Sequence, residues 1–357
     1  MTETPGRSRH PNRGGAHHPL IELTIARLRE FVREPEALFW VFVFPIVMSL
    51  ALAVAFPGRG SQPVRVGLVP GPQADGIRRA LSAAPGVVVR DVSPSEEARA
   101  IREGDVHVVV VPGAPPSYRF DSGRDESRVA RLVVDDALKR AAGRHDPWTA
   151  REEPVEVPGS RYIDWLIPGI LGMNIMSTGM WGIGFSIAQA RLRKLLKRLV
   201  ASPMRKYEYL LAQVMARTVF LAPEAGVPLV FGAVALGMPI NGSIASIAAV
   251  CVVGALAFAG LGLLAASRAA SLEAISGILN MAMLPMWVLS GVFFSTANFP
   301  SVLQPFIHAL PLTALNDALR AVILEGAAMT TIWQELSVLG AWGGGAFIAA
   351  LRLFRWQ

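Results

Sequence analysis

Long apolar runs with few charges, the third of them interrupted by Arg217, Pro223, Glu224 and Pro228, dominate the chain between polar connections. Six runs stand out, at 37–56, 163–188, 210–238, 243–266, 273–295 and 333–354. Each is near or above the length of about 20 residues at which a helix crosses a hydrocarbon core. The pattern therefore predicts six membrane helices. Trp40 lies near the start of the first run, where an amphipathic ring suits the headgroup level. Ahead of it, "IELTIARLREFVREPEALFW" sets Ile21, Leu23, Ile25, Leu28 and Phe31 against Arg27, Arg29, Glu30 and Arg33. This predicts an amphipathic elbow helix over 20–36, lying in the interface, with Pro35 marking the turn into the first span. Residues 1–19 are rich in Gly, Pro, Arg and His and bury too little apolar surface to fold alone, so a disordered tail is expected there.

Between the first two runs the pattern changes. Residues 57–161 mix both charge signs. "VRVGLV" (64–69), "GVVVRDV" (86–92) and "VHVVVVP" (106–112) are β-branched runs of strand length, and "SYRFDSG" (117–123) is a fourth candidate. "QADGIRRALSAAP", "SPSEEARAIREGD" and "DESRVARLVVDDALKRAAGR" read as helices. Ser93, followed by Pro94 and by Glu96 three residues on, is expected to start the second of these. Alternating strands and helices predict a small α/β domain. The expected fold is a polytopic α-helical membrane protein. Six transmembrane helices carry this domain between the first and second, and five of the helices lie in 162–357.

Composition agrees with the spans. Charged residues are 17% of the chain, below the roughly 25% of soluble domains. The net charge is +7. Lys and Arg kept beside membrane helices explain it better than nucleic-acid binding. Seven Lys or Arg lie between 191 and 206, Arg268 follows the fourth run, and Arg352 and Arg355 end the chain. With six spans these and the N-terminal arginines share one side, expected to be the cytoplasm. Both termini would be cytoplasmic, in a cell (inner or plasma) membrane. Residues 57–161 and 295–332 would lie outside, since long domains translocate largely regardless of charge. The first apolar run begins too late and runs too long for a cleaved signal peptide, and is expected to be retained. The single cysteine, Cys251, permits neither an internal disulfide nor a cysteine metal cluster.

Catalytic motifs are absent from the sequence. It has no G-x-x-x-x-G-K-[ST] phosphate loop, no G-x-S-x-G elbow and no H-E-x-x-H metal pair. His10, His17 and His18 have no partner at ligand spacing, and His107 and His308 are isolated, so structural roles and no metal site are expected. Any ATP-hydrolysing site would belong to another chain. Charge inside a span is costly and marks a site to explain. Arg217 and Glu224, seven residues apart in the third run, fall on nearly one helix face. Two roles are open: a pathway lining or subunit contact, or a hydrogen bond to a neighbouring helix eased by carbonyls that Pro223 and Pro228 leave free. Gly169, Gly172, Gly182, Gly184, Gly254, Gly260, Gly262 and Gly343 to Gly345 are expected to permit close helix contact. Met173, Met176, Met180, Met281, Met283 and Met286 read either as an adaptable apolar surface or as lipid-facing packing.

The stretch "RLRKLLKRLVASPMRKYEYLLAQ" is two-faced. Leu192, Leu195, Leu196, Leu199 and Val200 form one helical stripe, with Arg191, Arg193, Lys194, Lys197 and Arg198 around it. Ser202 and Pro203 stop this helix and start the next. A basic helix resting on anionic lipid and a docking element for a cytoplasmic partner both fit the periodicity. The order of parts resembles the permease subunits of type-2 ATP-binding-cassette (ABC) exporters, in the group with a large extracytoplasmic domain. "LREFVREPEALFWVFVFPIVM" resembles the family's elbow and first span, "YIDWLIPGILGMNIMSTGMWGIG" its second span, and "LKRLVASPMRKYEYLLAQVMAR" its coupling region. "LSGVFFSTANFPSVLQPFIHALPLTALNDALRAVILEG" resembles its outer re-entrant helices, placing that segment at 296–332. The resemblance implies a cytoplasmic ABC ATPase partner contacted by 191–208. Arg191, Lys194, Lys197, Arg198, Ser202, Pro203 and Glu208 would be the coupling residues. It also implies pairing with a second permease copy or a homologous permease, contact with membrane lipids, no nucleic acid, and no cofactor on this chain, with ATP and Mg on the ATPase. Before the coupling leucines the family has a Glu-rich turn with Gly-Thr; this chain has "AQARLRKLL", which makes the implied contact more basic. A second class of function is a membrane-anchored sensor or assembly scaffold whose α/β domain binds an outside ligand.

Overall fold

The structure is a computed structural model that describes residues 25, 29, 32–55, 63–145, 148, 159, 161–192, 206–267, 269 and 271–353. The expected tail at 1–19, and all of the 20–36 elbow except 25, 29 and 32–36, lie outside the described residues. The chain divides into two compact units, Met1–Gly58 with Glu156–Gln357, and Arg59–Val155. The first unit opens with α1, which runs Pro35–Leu38, turns π-helical over Phe39–Val43 and continues as Phe44–Ala55. Pro35 stands in the first turn, where its missing N–H costs nothing. The π-helical turn was not expected from the apolar pattern. Pro45 lies inside the helix and has no N–H for the carbonyl of Val41, four residues back. The side-chain amide of Asn174 donates to that carbonyl instead, at 2.9 Å. A π-bulge and an inserted side chain are common responses to such a gap in the ladder.

The smaller unit contains β1 (Val64–Leu68), α2 (Ala74–Ser82), β2 (Val87–Asp91), α3 (Glu97–Glu103), β3 (Val108–Val111), β4 (Ser117–Arg119) and α4 (Asp125–Ala141). The strand order is β2-β1-β3-β4, with β4 antiparallel and the other pairs parallel. Val66, Leu68, Val108 and Val110 pack with Leu81 of α2 and with Ala130 and Val134 of α4. On the other face Val109 packs with Val69, Val92, Val106 and Ala100 of α3. Cover on both faces explains why β3 is an unbroken run of valines. The expected helix start at Ser93 is corrected. A turn precedes α3, closed by the Glu96 N–H on the Ser93 carbonyl at 2.9 Å. The Ser93 hydroxyl donates to the Glu96 carboxylate at 2.8 Å rather than accepting a helix amide. Gly104, with φ of 77°, ends α3 in the left-handed conformation.

His107 is structural in this unit. The Arg65 backbone N–H faces its Nδ1 at 3.3 Å and the Arg65 guanidinium faces its Nε2 at 3.3 Å. Burial, and then the Arg65 charge, hold the imidazole below its ordinary value of 6.5. Protonation removes its acceptor and sets two cations together. A depressed folded value means that the stability contribution is complete above 6.5 and is lost as pH falls through the folded value. Protection of the β1 and β3 amides in the full chain, corrected for intrinsic exchange, is expected to fall as pH drops below 6.5. His107→Gln is expected to flatten that dependence; an unchanged slope contradicts the assignment.

The first unit resumes with α5 (Tyr162–Leu192), α6 (Lys206–Ala235), α7 (Ile244–Ala266) and α8 (Leu272–Leu289). A 3-10 turn at Thr296–Asn298 leads to α9 (Gln304–His308), α10 (Pro311–Glu325) and α11 (Trp333–Leu353). Among the described residues five helices are long and apolar enough to cross a membrane, and Phe39–Ala55 is a shorter apolar helix. Helices start where serine can cap: Ser243 accepts from the Ser246 N–H and Ser271 from the Ala274 N–H, at 3.0 and 3.1 Å. The fifth apolar run extends to 295, but α8 stops at Leu289, because Gly291 turns the chain with φ of 68°.

Helices α5, α7 and α10 form the buried centre. Glycines let the backbones approach: a Cβ at Gly262 of α7 would lie 2.7 Å from the Met180 carbonyl, and one at Gly260 would lie 2.8 Å from that of Gly343 in α11. Contacts from Gly179 to Phe258 and from Gly184 to Gly262 run in the same sense along both chains, so α5 and α7 are parallel. Contacts from Gly169 to Arg320 and from Gly172 to Asn316 run in opposite senses, so α5 and α10 are antiparallel. Met173, Met176, Met180, Met283 and Met286 are buried in this core, whereas Met281 is exposed. Five of the six methionines are thus core packing rather than a lipid-facing surface.

Candidate functional site

Arg217 and Glu224 meet as a buried ion pair inside the helical unit. Glu224 is 1% exposed and Arg217 11%. One carboxylate oxygen accepts from the Arg217 guanidinium. The other accepts from the Thr178 hydroxyl of α5 at 2.6 Å. The second guanidinium nitrogen reaches the Ile175 carbonyl at 3.4 Å. The pair therefore ties α6 to α5, through partners that no spacing within α6 discloses. Thr178 also lies 2.8 Å from the Asn174 carbonyl, which gives its hydroxyl an alternative acceptor.

Further polar side chains gather at helix ends. A helix leaves its last carbonyls unpaired, and hydrocarbon offers them no water. At the end of the unit where α5 begins, Arg161 forks onto Asp164 at 2.7 and 3.0 Å and donates to the Gly237 carbonyl beyond α6 at 2.6 Å. Asn241 donates to the Leu324 carbonyl of α10 at 2.5 Å. Asn316 donates to the Ser290 carbonyl beyond α8 at 3.0 Å. Arg320 donates to the Gly291 carbonyl at 2.5 Å and to that of Trp165 at 3.3 Å. Its guanidinium carbon also sits 3.5 Å from the Trp165 ring centroid. Gly169 and Gly172 make room for this cluster: a Cβ at Gly172 would lie 2.0 Å from Asn316 Oδ1. Sequence reasoning passed over Asn174, Asn241, Asn316 and, as a site, Arg320. Asn241 stands beside a helix break, but Asn174 lies inside α5, and Asn316, followed by Asp317, and Arg320 lie inside α10, so no local signal is common to the four.

At the opposite end of the unit, Arg191 donates to the carbonyls of Ala266 and Ala269 at 3.0 and 3.1 Å and to that of Ser267 at 3.3 Å. Of the other expected coupling residues, Lys194, Lys197, Arg198, Ser202 and Pro203 lie outside the described residues. Glu208 is in the first turn of α6, and its side chain is outside the described atoms. Among the described residues no group of His, Cys, Asp and Glu could hold a metal ion.

Long apolar helices, glycine-mediated backbone contact and buried polar side chains that bond one another or helix carbonyls define a multi-pass helical membrane protein. The family model of the ABC-2 family transporter proteins matches residues 35–352, and the chain belongs to that family. It is 24% identical over 183 residues to the inner membrane transport permease YhhJ of Escherichia coli K12, covering 51% of this chain and 49% of that protein. It is 25% identical over 199 residues to the probable multidrug ABC transporter permease YbhR of the same organism, covering 55% and 54%. ABC transporter G family member 20 of Dictyostelium discoideum is 25% identical over 190 residues, 52% of this chain and 26% of that protein. The chain spans about half the length of the bacterial relatives it matches. The bacterial relatives are ABC-transporter permeases by name, and the chain is a membrane component of the ABC-2 family.

Proposed function

We propose that this chain is the membrane half of an ATP-driven exporter, working with a separate cytoplasmic ABC ATPase. The observation that carries the reading is the family match across 35–352 in a sequence that has no phosphate loop of its own. ATP and Mg are then bound by the ATPase, and a second copy of the chain or a homologous permease completes the pathway. Six spans are α1, α5, α6, α7, α8 and α11. Helix α1 is continuous over 21 residues from Pro35 to Ala55, and at about 1.5 Å per residue that length matches a core about 30 Å thick. With Lys and Arg kept inside, residues 191–208 face the cytoplasm. The smaller unit and the 296–332 re-entrant segment lie outside.

In this reading Lys194, Lys197 and Arg198 meet the ATPase, the break at Ser202 and Pro203 hinges the coupling helix to α6, and Glu208 lies just beyond the hinge. Arg217 and Glu224 hold α5 against α6, since both are buried within one chain. Replacing Lys194, Lys197 and Arg198 together by Glu is expected to abolish transport-coupled ATP hydrolysis in proteoliposomes, with accumulation and thermal stability of the chain unchanged. Normal coupling in that variant would leave the basic helix a lipid-surface element and remove the coupling role.

A further inference from the structure

We propose that Arg191 is an internal joint, which locks α5 to the turn between α7 and α8 and so makes the coupling segment and that turn move as one. The proposal rests on the reading of 191–208 as the ATPase-facing segment, but its geometry lies wholly within this chain.

Helices α5 and α7 run parallel, and α7 ends at Ala266, beside Arg191 of α5. That end gathers unpaired carbonyls and a partial negative charge, which a cation stabilises. Arg191 supplies that cation and places its donors on Ala266, Ser267 and Ala269. A planar fork with five donors can serve several carbonyls at once, which a lysine ammonium on a flexible stem does poorly. The site is covered as well as bonded: Ala190, Ala266 and Ala269 are buried around it.

The turn that Arg191 grips is fixed on its other side too. Ser271 caps the start of α8 through the Ala274 N–H, and the Ser267 hydroxyl donates back to the Leu264 carbonyl at 2.7 Å. Two turns before Arg191, a Cβ at Gly184 would lie 3.2 Å from the Gly262 carbonyl, so α5 and α7 have little slack between them. Leu192, by contrast, is exposed. A displacement that reaches α5 at Leu192 is therefore passed through Arg191 to α7 and α8. Arg191 is a positioning residue: it acts through the α7–α8 turn, and the basic residues beyond it are left to meet the partner.

The test uses the full chain in nanodiscs, as wild type, Arg191→Gln and Arg191→Lys. It reads amide exchange across 266–274, association with a cassette ATPase that co-purifies with the wild-type chain, and the ATP hydrolysis coupled to transport. Arg191→Gln is expected to speed exchange in that segment by about tenfold, the scale of one lost charge-assisted hydrogen bond. Association is expected to be unchanged and coupled hydrolysis lost, with Arg191→Lys recovering part of both affected readouts. Unchanged exchange, or loss of association itself, overturns the joint and makes Arg191 a direct contact or a bystander. Arg191→Lys carries the same readouts, at smaller amplitude, where Arg191→Gln fails to accumulate. A wild-type chain that binds no cassette ATPase defeats the exporter reading, while the exchange arm still decides the joint.

Discussion

Replacing Glu224 by alanine is expected to destabilise the helical unit by about 3–5 kcal/mol, the usual cost of leaving one member of a buried ion pair without its partner. Arg217 would keep its contact with the Ile175 carbonyl but lose the carboxylate that offsets its charge. Restoring neutrality is the sharper experiment. In the double variant Arg217→Met with Glu224→Leu no charge remains at this site, and apolar replacements of a buried pair are often neutral or stabilising. Thr178 can turn its hydroxyl to the Asn174 carbonyl, already 2.8 Å away. Most of the lost stability is therefore expected to return, measured as thermal unfolding in nanodiscs, and transport with it. A double variant that is stable but transports nothing would show that the pair does more than join α5 to α6.

Arg320→Ala is expected to cost a similar amount. It removes the guanidinium bonds to the Gly291 and Trp165 carbonyls, at about 1.5–3 kcal/mol for a hydrogen bond from a charged group, leaves Gly291 the Trp165 indole N–H at 3.2 Å, and takes from Asp317 the cation 3.6 Å away. It also removes a stacked, desolvated cation worth about 2 kcal/mol. Arg320→Lys is expected to restore less than half, because an ammonium cannot stack flat on Trp165 while reaching two carbonyls. The same junction can be strained from α5. Gly172→Ala forces a Cβ to within 2.0 Å of Asn316 Oδ1, whereas a Cβ at Gly182 meets nothing within 4 Å. Gly172→Ala is expected to lower the melting temperature and Gly182→Ala to leave it unchanged. Equal effects at the two glycines would contradict the packing described.

Five of the six expected spans were legible as long apolar helices among the described residues, because an apolar run long enough to cross a membrane is a one-dimensional property. The run at 243–266 and helix α7 differ by a single residue at the start. Where helices stop was less legible. Apolar residues continue to Phe294, but Ser290 and Gly291 end α8, and a backbone turn leaves no mark on hydropathy. The π-helical turn of α1 follows from Pro45, yet its partner, Asn174, lies 133 residues away. The carbonyl-capping side chains share that difficulty: Arg320 meets Trp165 across 155 positions and Arg191 meets Ala266 across 75. Charge at positions 217 and 224 was visible as an anomaly in an apolar run, while Thr178, which decides the second helix in the link, was one hydroxyl among many. Ser93 shows the opposite error. A local pattern matched a capping box, but the Glu96 amide was taken by a turn before the helix began.

The most direct measurement of the exporter account is association of the purified full chain, in nanodiscs, with cassette ATPases encoded beside it. The account predicts a saturable complex for the wild-type chain that is lost or weakened when Lys194, Lys197 and Arg198 are replaced by Glu. It also predicts a complex that survives Arg191→Gln. A wild-type chain that binds none of these ATPases would contradict the account.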